Sequence, residues 1–324
     1  MTRPEELMRR LNVMVIIVMT PFDKNDEVDY GGLKSNVEGL VSALKGKDAA
    51  LVASGSNSEF YALMEEERRR VIRTVVETVN GRLPVLAGTM EAGTKKTIEW
   101  SKYAESVGAD GLLVVAPYYH VPSEEGMYAH YARLAESVNI GIMVYNNPQV
   151  TGSWIRPQLM ARLAEIGNII ADKETTTIIQ HQLQMLKAID PARMTVLCGS
   201  GELMFSYLAL AGSPGYIATP MANFAPGFFY GFLQAARRND FKELSSLVNK
   251  IELLTSFIGR LTAAHGHTGA HAAPYTGGHW SIPVTKAGMN LAGMCGGRVR
   301  LPLIDLDEAE IKQLRSIMVQ MGVL

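Results

Sequence analysis

Lys173 is the residue whose type and position predict the most chemistry. It follows an apolar run at 169–172, as a side chain at the end of a buried strand would. Partial burial favours the neutral amine, which adds to a carbonyl carbon to form a Schiff base. Tyr145 ends the preceding apolar run, and a phenol there could move protons between a carbinolamine and a bound substrate. The pair predicts imine chemistry, whereas each residue alone is more often structural, as a salt-bridged lysine or a core tyrosine.

Other polar groups follow other apolar runs at the equivalent position. The second run leads into a turn at 55–59, with the sequence GSNSE, whose hydrogen-bond donors could hold a carboxylate. The fourth run leads to Tyr119, and the seventh leads to Gly199 and Glu202. Ser56 and Tyr119 could extend a proton relay from Tyr145. A Gly-Ser-Asn-Ser segment alone is also an ordinary turn sequence. What favours a site is that polar groups follow several different strands at the same end.

The elements that must position these residues are short apolar runs that alternate with helical patterns. The runs are continuously apolar, as expected of strands buried on both faces of a parallel sheet. This alternation predicts an α/β fold, a (β/α)8 TIM barrel over residues 1–221, with its site at the carboxyl ends of the strands. The eight runs occupy 13–19, 49–53, 83–87, 111–116, 140–145, 169–172, 194–198 and 216–218. Helical patterns between them lie at 65–79, 95–106, 126–137 and 156–166.

The main alternative to a barrel is a doubly wound open sheet. That fold would place a glycine-rich phosphate loop after the first strand, where this chain has Thr20-Pro21-Phe22. After about Ala222 the strand-like runs stop, and residues 222–324 are predicted to form a C-terminal helical region. Its helical patterns lie at 228–238, 241–261, 284–292 and 308–321.

Composition argues against several classes of protein. The chain has 324 residues and a formal net charge of -1, which does not favour binding to nucleic acid or to an anionic membrane. The apolar run at 13–19 is too short to span a bilayer, which takes about 20 residues. Cys198 and Cys295 form no C-x-x-C motif, which is typical of a reducing cytoplasm. We expect a cytoplasmic enzyme that acts on a small molecule.

A loop at 263–281 is rich in glycine, alanine and histidine. Its histidines, at mixed spacing, could bind a metal, but a mobile or interface loop near the subunit contacts is the more ordinary interpretation. Since imine chemistry needs no metal, the sequence predicts neither a metal site nor a cofactor. The histidines concerned are His265, His267, His271 and His279.

The ordered motifs resemble the dihydrodipicolinate synthase / N-acetylneuraminate lyase family of class I aldolases. The similarity runs from about Val13 to Leu303, and it implies a barrel that performs Schiff-base chemistry. Residues 55–59 match the family's G-T-T-G-E element with three of the five residues changed. The other matching segments are Thr20-Pro21-Phe22, 83–89, 108–111, 117–119, Tyr145-Asn146-x-Pro148-x-x-Thr151-Gly152, Lys173-Glu174 and Ile282-Pro283-Val284-x-Lys286.

The resemblance implies a role for each matching residue. Lys173 would condense with the keto group of pyruvate or another 2-keto acid, with Tyr145 as the acid and base. Ser56 keeps the hydroxyl of a proton relay that Tyr119 completes across a subunit interface in the synthases. The family is commonly tetrameric, which implies a homotetramer built as a dimer of dimers. The residues predicted to bind substrate are Gly55, Asn57, Ser58, Thr175, Gly199, Glu202, Ile217 and Thr219.

Two departures from the family pattern bear on the second substrate. The synthases usually carry an arginine that binds the carboxylate of aspartate semialdehyde where this chain has Val150, and an apolar side chain cannot make that bidentate contact. The positions that read sugar hydroxyls in the sialic acid lyases are partly polar here, but Gly201 replaces the usual aspartate. Thr175, Glu202 and Thr219 then favour a hydroxylated 2-keto acid.

The sequence therefore predicts a class I lyase that acts through Lys173 as an aldolase or dehydratase on a hydroxylated 2-keto acid. The first alternative is 4-hydroxy-tetrahydrodipicolinate synthase of lysine biosynthesis, which Val150 disfavours. An alternative of another class is a barrel that binds a keto acid without catalysis. A binding module needs neither an imine-forming amine nor a proton shuttle, so Lys173 and Tyr145 together argue against it.

Overall fold

The computed structural model describes residues 2–266 and 280–324. Within this part of the chain, eight parallel strands pair in chain order and the last returns to the first, closing a barrel. The TIM-barrel prediction is therefore confirmed, and the open sheet is wrong. The strands are β1 (Met14–Ile17), β2 (Ala49–Ala53), β3 (Val85–Gly88), β4 (Gly111–Val115), β5 (Gly141–Asn146), β6 (Ile169–Glu174), β7 (Thr195–Cys198) and β8 (Tyr216–Ile217).

Helices alternate with the strands and cover the outside of the barrel. Up to β8 they are α1 (Pro4–Arg9), α2 (Tyr30–Ala43), α3 (Glu65–Val79), α4 (Thr94–Ser106), α5 (Glu124–Ala135), α6 (Pro148–Thr151), α7 (Pro157–Leu163), α8 (Ile179–Ala188) and α9 (Gly201–Leu208). After β8 come α10 (Pro226–Arg237), α11 (Phe241–His265), α12 (Ser281–Leu291) and α13 (Glu308–Met321), as the helical patterns predict. Of the helices in the described residues, none is long and apolar enough to cross a membrane.

Two layers of apolar side chains account for the continuously apolar strands. Successive strand residues point alternately inward and outward, so Val15 joins the cluster inside the barrel while Ile16 packs against the helices. Leu7 of α1 also belongs to the interior cluster. It lies against the first residues of β4 and β5, where a Cβ on Gly111 would come within 2.6 Å of the Leu7 side chain. The short helix α1 thus closes the amino end of the barrel and leaves the carboxyl end for the site.

A bulge in β6 determines which way that strand presents its last residues. Ile142 of β5 pairs with Ile169, but Met143 pairs with Ala171, so Ile170 is one extra residue in β6. Ile170 and Ala171 consequently both contact the interior cluster, and the alternation after them is shifted by one position. Such a shift exchanges the two faces of a strand, and here it directs Lys173 into the barrel.

Helix α2 was not among the predicted helical patterns. It contains three glycines, a residue that destabilises a helix interior by about 1 kcal/mol relative to alanine. Packing explains one of them, because a Cβ on Gly32 would lie 2.3 Å from the Sγ of Cys295. The close approach of the C-terminal region to α2 therefore outweighs helix propensity at this position.

A buried ion pair joins the C-terminal helices to the turn after β2. The Nζ of Lys286 on α12 lies 2.5 Å from Oε1 of Glu59, and both side chains are almost completely buried. The same amine donates to the carbonyl oxygen of Arg298 at 2.6 Å. Burial lowers the pKa of Lys286 to about 8, and the Glu59 carboxylate opposes that shift. The second oxygen of the Glu59 carboxylate, Oε2, accepts a hydrogen bond from the backbone N–H of Arg300 at 3.0 Å.

Breaking this pair from one side is expected to destabilise the protein strongly. Glu59→Gln and Lys286→Met should each lower the free energy of unfolding by about 3–5 kcal/mol, because each leaves an uncompensated buried charge. The double variant should lose less than the sum of the two, as measured by denaturant unfolding. Lys96→Met is the matched control, since solvent screens the exposed Lys96–Glu65 pair and its loss should hardly change the free energy of unfolding. Strictly additive losses at Glu59 and Lys286 would contradict the coupling.

Candidate active site

Lys173 and Tyr145 lie side by side inside the barrel at the carboxyl ends of β6 and β5. The strand register pairs them directly, and the Lys173 Nζ lies 3.7 Å from the centroid of the Tyr145 ring. Both side chains are buried. Within the described part of the chain, no carboxylate forms an ion pair with this amine. The structure thus brings together the two residues predicted to perform the central chemistry, with the amine free to approach a carbonyl carbon.

Asn147 fixes the orientation of the Tyr145 phenol. Its Nδ2 donates to the Tyr145 oxygen at 2.7 Å, and its own side chain is buried. Because the phenol oxygen accepts this bond, its O–H remains free to donate to a substrate. Sequence reasoning missed Asn147, although it occupies the variable position of the matched Tyr145 motif. The sequence signal that could have indicated it is a polar amide directly after a buried strand.

Glu174 fastens the two strand ends that carry Tyr145 and Lys173. It follows Lys173 in β6, points outward from the barrel and is completely buried. Its carboxylate accepts from Asn146 Nδ2 and from the Thr176 N–H, both at 2.8 Å. Since Asn146 is the residue after Tyr145, one side chain holds the ends of β5 and β6 together.

The turn after β2 has a backbone conformation that tertiary contacts impose. Ser54, just before the turn at 55–59, and Glu59, its last residue, have left-handed φ values of 57° and 58°. Such a conformation costs about 1 kcal/mol or more for each non-glycine residue. Arg68 Nε donates to Ser54 Oγ at 3.2 Å and Lys286 holds Glu59, so both strained ends are anchored. Ser58 Oγ is buried without a hydrogen-bond partner among the described residues, which leaves it available to a ligand.

Within that turn, glycine at position 55 is required by packing. A Cβ on Gly55 would approach Ile17 Cγ2 to 2.7 Å. Ser56 and Asn57 begin the 3-10 helix Ser56–Ser58 and are half-buried. The first N–H groups of such a helix have no acceptor within it, so they suit a carboxylate oxygen.

The predicted residues on β6, β7 and β8 form the other side of the site. Gly199 lies against Lys173, since a Cβ there would come within 2.9 Å of Lys173 Cγ and 2.4 Å of Thr175 Oγ1. The Thr175 hydroxyl is buried and has no hydrogen-bond partner among the described residues. Ile217 belongs to the interior apolar cluster with Tyr145. These residues add to the site an apolar wall and one hydroxyl that has no hydrogen-bond partner among the described residues.

Glu202 and Thr219 connect the loops that follow β7 and β8. Glu202 is buried, and its Oε1 accepts from the Thr219 N–H at 2.9 Å. Burial raises the pKa of Glu202 to about 7, and the Thr219 N–H opposes that shift. Near neutral pH this carboxyl therefore exchanges between a form that can donate a hydrogen bond and one that only accepts.

The backbone at position 201 explains why this chain has glycine where the sialic acid lyases have aspartate. Its φ is +80°, a conformation that side-chain-bearing residues rarely adopt. A Cβ there would also approach Thr219 Cγ2 to 2.9 Å. An aspartate at this position would require a different loop, so this barrel is not built to place a carboxylate there.

Among the described residues, neither of the two predicted relay residues is hydrogen-bonded to Tyr145. The Ser56 hydroxyl lies 3.9 Å from the sulfur of Met90, a neighbour that the sequence did not indicate. Tyr119 is 79% exposed, and its nearest ring neighbour is His120 at 4.9 Å. The relay therefore remains a prediction. Tyr119 would have to be exposed in the single chain if it serves the site of a second subunit.

No cluster of three or more metal-binding side chains occurs in residues 2–266 and 280–324. His267, His271 and His279, in the loop considered above for metal binding, lie outside the described residues. His265 is described, and its Nε2 lies 2.6 Å from Glu310 Oε1 while its ring packs against Trp280. This histidine therefore has a structural role at the end of α11.

The fold agrees with comparisons to known proteins. The dihydrodipicolinate synthetase family model matches residues 10–264. The chain belongs to this family. Its members include the 4-hydroxy-tetrahydrodipicolinate synthase of Methanocaldococcus jannaschii, 34% identical over 95% of this chain and 97% of that protein. The synthase of Acetivibrio thermocellus is 36% identical over 95% of this chain and 97% of its own length.

A solved structure shows the same relationship in three dimensions. YagE, a prophage protein of the dihydrodipicolinic acid synthase family from E. coli K12, was crystallised in complex with pyruvate. It superimposes with a TM-score of 0.83, at 29% identity, over 97% of this chain and 99% of that one. The family prediction is thus confirmed, and this family member is an enzyme of the lyase class.

Removing the Asn147 amide tests whether it acts through the Tyr145 phenol. Asn147→Ala should lower kcat about tenfold with a smaller change in KM, because one hydrogen bond orienting the proton donor is lost. Tyr145→Phe should lower kcat about a hundredfold or more. In the Tyr145→Phe background the Asn147→Ala change should have no further effect on steady-state kinetics. Equal losses in both backgrounds would show that Asn147 acts elsewhere.

Proposed function

We propose that this protein is a class I lyase whose Lys173 forms a Schiff base with pyruvate or another 2-keto acid. The observation that carries the proposal is the buried Lys173 amine, without an ion-pair partner among the described residues, 3.7 Å from the Tyr145 ring centroid. Attack of the amine on the keto carbon gives a carbinolamine, which loses water to form the imine. Tyr145 supplies the proton that the departing hydroxyl needs and later recovers it.

The turn at 55–59 is proposed to hold the carboxylate of the keto acid. Arg68 fixes Ser54 before the turn and Lys286 fixes Glu59 at its end, so the N–H groups between them are positioned before substrate arrives. The free Ser58 and Thr175 hydroxyls add further polar contacts to this site. Preorganised donors of this kind reduce the entropy lost on binding.

The activity for which the relatives are named favours one specific reaction. The related proteins from Methanocaldococcus jannaschii and Acetivibrio thermocellus are both 4-hydroxy-tetrahydrodipicolinate synthases, at 34% and 36% identity. These relationships support the synthase reaction, condensation of pyruvate with aspartate semialdehyde, better than they support a sugar-acid lyase. We therefore place the synthase first among the specific activities to test.

The second candidate is an aldolase or dehydratase acting on a hydroxylated 2-keto acid. The observation that favours it is Val150, which is 64% exposed on α6 and offers no cation where the synthases carry their carboxylate-binding arginine. Glu202, with a pKa raised to about 7, supplies a group that can exchange hydrogen bonds with a substrate hydroxyl. A barrel that only binds a keto acid would make no use of Tyr145, and family membership favours the enzyme.

The assembly proposed for this enzyme is a homotetramer built as a dimer of dimers. Exposed Tyr119 is the feature that supports it, because a tyrosine that is 79% exposed in one chain is available to a second subunit. In this arrangement a second subunit would receive Tyr119 and complete the relay through Ser56.

Reductive trapping tests the Schiff base directly. Incubation with pyruvate followed by borohydride should add one pyruvate-derived group to Lys173, detected by peptide mass spectrometry. Lys173→Ala should give no adduct, and Lys173→Arg, which keeps the charge but cannot form the imine, should also give none. If neither pyruvate nor any of a panel of 2-keto acids gives an adduct, the proposal is wrong.

Substitution at position 150 separates the two specific activities. If the chain is a synthase, the parent turns over pyruvate and aspartate semialdehyde in a coupled assay despite Val150. Val150→Arg should then raise kcat/KM for the semialdehyde about tenfold, since a charge-assisted contact contributes about 1.5–3 kcal/mol. Val150→Gln is the control of similar reach without the charge. No synthase turnover, together with pyruvate release or water loss from 2-keto-3-deoxy sugar acids, would establish the second candidate instead.

A further inference from the structure

A groove on the outside of the barrel carries features that the proposed chemistry does not use. It lies between α7 and α8, on the opposite side of the barrel wall from the Lys173 amine, and has a volume of about 710 Å³. That volume is large enough for a small organic molecule. The lining residues that bear on its chemistry are Trp154, Arg156, Gln158, His181, Gln184 and Lys187.

Trp154 gives the groove a fixed aromatic surface. Its side chain is 44% exposed, although large aromatic residues are usually well buried. The indole N–H donates to Nε2 of buried His181 at 3.2 Å, and the two ring centroids are 5.0 Å apart. An indole fastened in this way and still exposed can stack on a planar ring without losing rotamer freedom.

The groove also carries uncompensated positive charge. Arg156 and Lys187 are exposed, and neither has a hydrogen-bond or ion-pair partner among the described residues. Nearby arginines behave differently, since Arg162 pairs with Glu125 and Arg193 pairs with Glu165. No carboxylate lines the groove. Two free cations beside a fixed indole favour a ligand that combines negative charge with a flat ring.

We propose that this groove binds a small organic anion with a planar ring, the ring on Trp154 and the anionic group between Arg156 and Lys187. The Gln158 and Gln184 amides provide hydrogen bonds to polar edges of the same ligand. This site is separate from the keto-acid site, because it faces the outside of the barrel.

A ligand in the groove has a route to the catalytic strand through His181. Nε2 of His181 lies between the indole N–H of Trp154, at 3.2 Å, and Oε2 of Glu174, at 3.4 Å. A bare Nε2 accepts from the indole, whereas an Nε2 that carries hydrogen donates to the carboxylate, so it satisfies one partner at a time. A ligand whose polar group accepts the indole N–H in place of Nε2, with the indole ring still in position, leaves His181 free to donate to Glu174, which holds Asn146 and follows Lys173. This consequence rests on the Schiff-base role proposed for Lys173, whereas binding in the groove does not.

Tryptophan fluorescence tests the binding. Of the three tryptophans, Trp100 and Trp280 are buried, so quenching by a ligand reports on Trp154. Phenyl phosphate and adenosine monophosphate are the probes, with adenosine and inorganic phosphate as partial ligands. At least one ring-bearing phosphate should quench saturably, and each partial ligand should bind about tenfold more weakly or worse.

Paired substitutions locate the site. Arg156→Gln with Lys187→Gln should weaken the probe about fivefold or more, because two partly exposed ionic contacts are lost. Lys102→Gln, at an exposed position on α4, should bind like the parent. Failure of both phosphates to quench, or equal affinity in the parent and the double variant, would overturn the proposed site.

The route through His181 is tested by the rate of borohydride-trapped imine formation with pyruvate. The probe should change that rate about fivefold in the parent, which is the low end of allosteric coupling. His181→Phe keeps a ring but removes the nitrogen that anchors Trp154. Quenching should still saturate, at a higher probe concentration than in the parent, and the saturating probe should not change the trapping rate. Quenching with no rate change in the parent, or the same change in both proteins, would overturn the route. If no imine forms at all, the Schiff-base proposal fails while the fluorescence result for the groove stands.

Discussion

The register between β5 and β6 decides where the reactive amine lies, and the rest of the site depends on it. One extra residue, Ile170, shifts the inward and outward alternation of β6 by one position. If the same residues continued from Ile169 with regular alternation, Lys173 would face the helices and Glu174 would face the barrel interior. The bulge therefore selects the amine rather than a carboxylate for the interior. It does so without altering the apolar composition of the strand, because Ile170 and Ala171 both fit the interior cluster.

The outward residues of the same strand make that arrangement rigid. Glu174 fixes the distance between the ends of β5 and β6 through Asn146, and Asn147 then aims the phenol of Tyr145. Catalysis depends on such placement, since small errors in the position of a proton donor are costly. The chain thus uses three consecutive residues of β5 and its following loop for one purpose: Tyr145 donates, Asn146 anchors and Asn147 orients.

The sequence predicts the barrel well because strands buried on both faces are continuously apolar and cannot be confused with surface helices. It predicts Lys173, Tyr145 and the turn at 55–59 because each places reactive or polar groups at the carboxyl end of an apolar run. It does not reveal Met90, which lies beside Ser56 because β2 pairs with β3, nor Asn147, whose bond to Tyr145 depends on how the backbone turns after β5. Helix α2 is missed because three glycines obscure its pattern. Gly32 is needed because Cys295, which is distant in the sequence, packs against it. The bulge is equally hidden, since an extra isoleucine in an apolar run changes no periodic signal.

The Glu59–Lys286 pair has a consequence for how this fold can diversify. It ties the loop that receives the keto-acid carboxylate to a helix almost 230 residues further along the chain. Exchange of barrel and C-terminal segments between family members would have to carry both partners together, or lose the left-handed backbone at Glu59. Substrate range can therefore change readily at α6 and at the loops after β7 and β8, whereas the carboxylate turn is inherited with the helices that hold it.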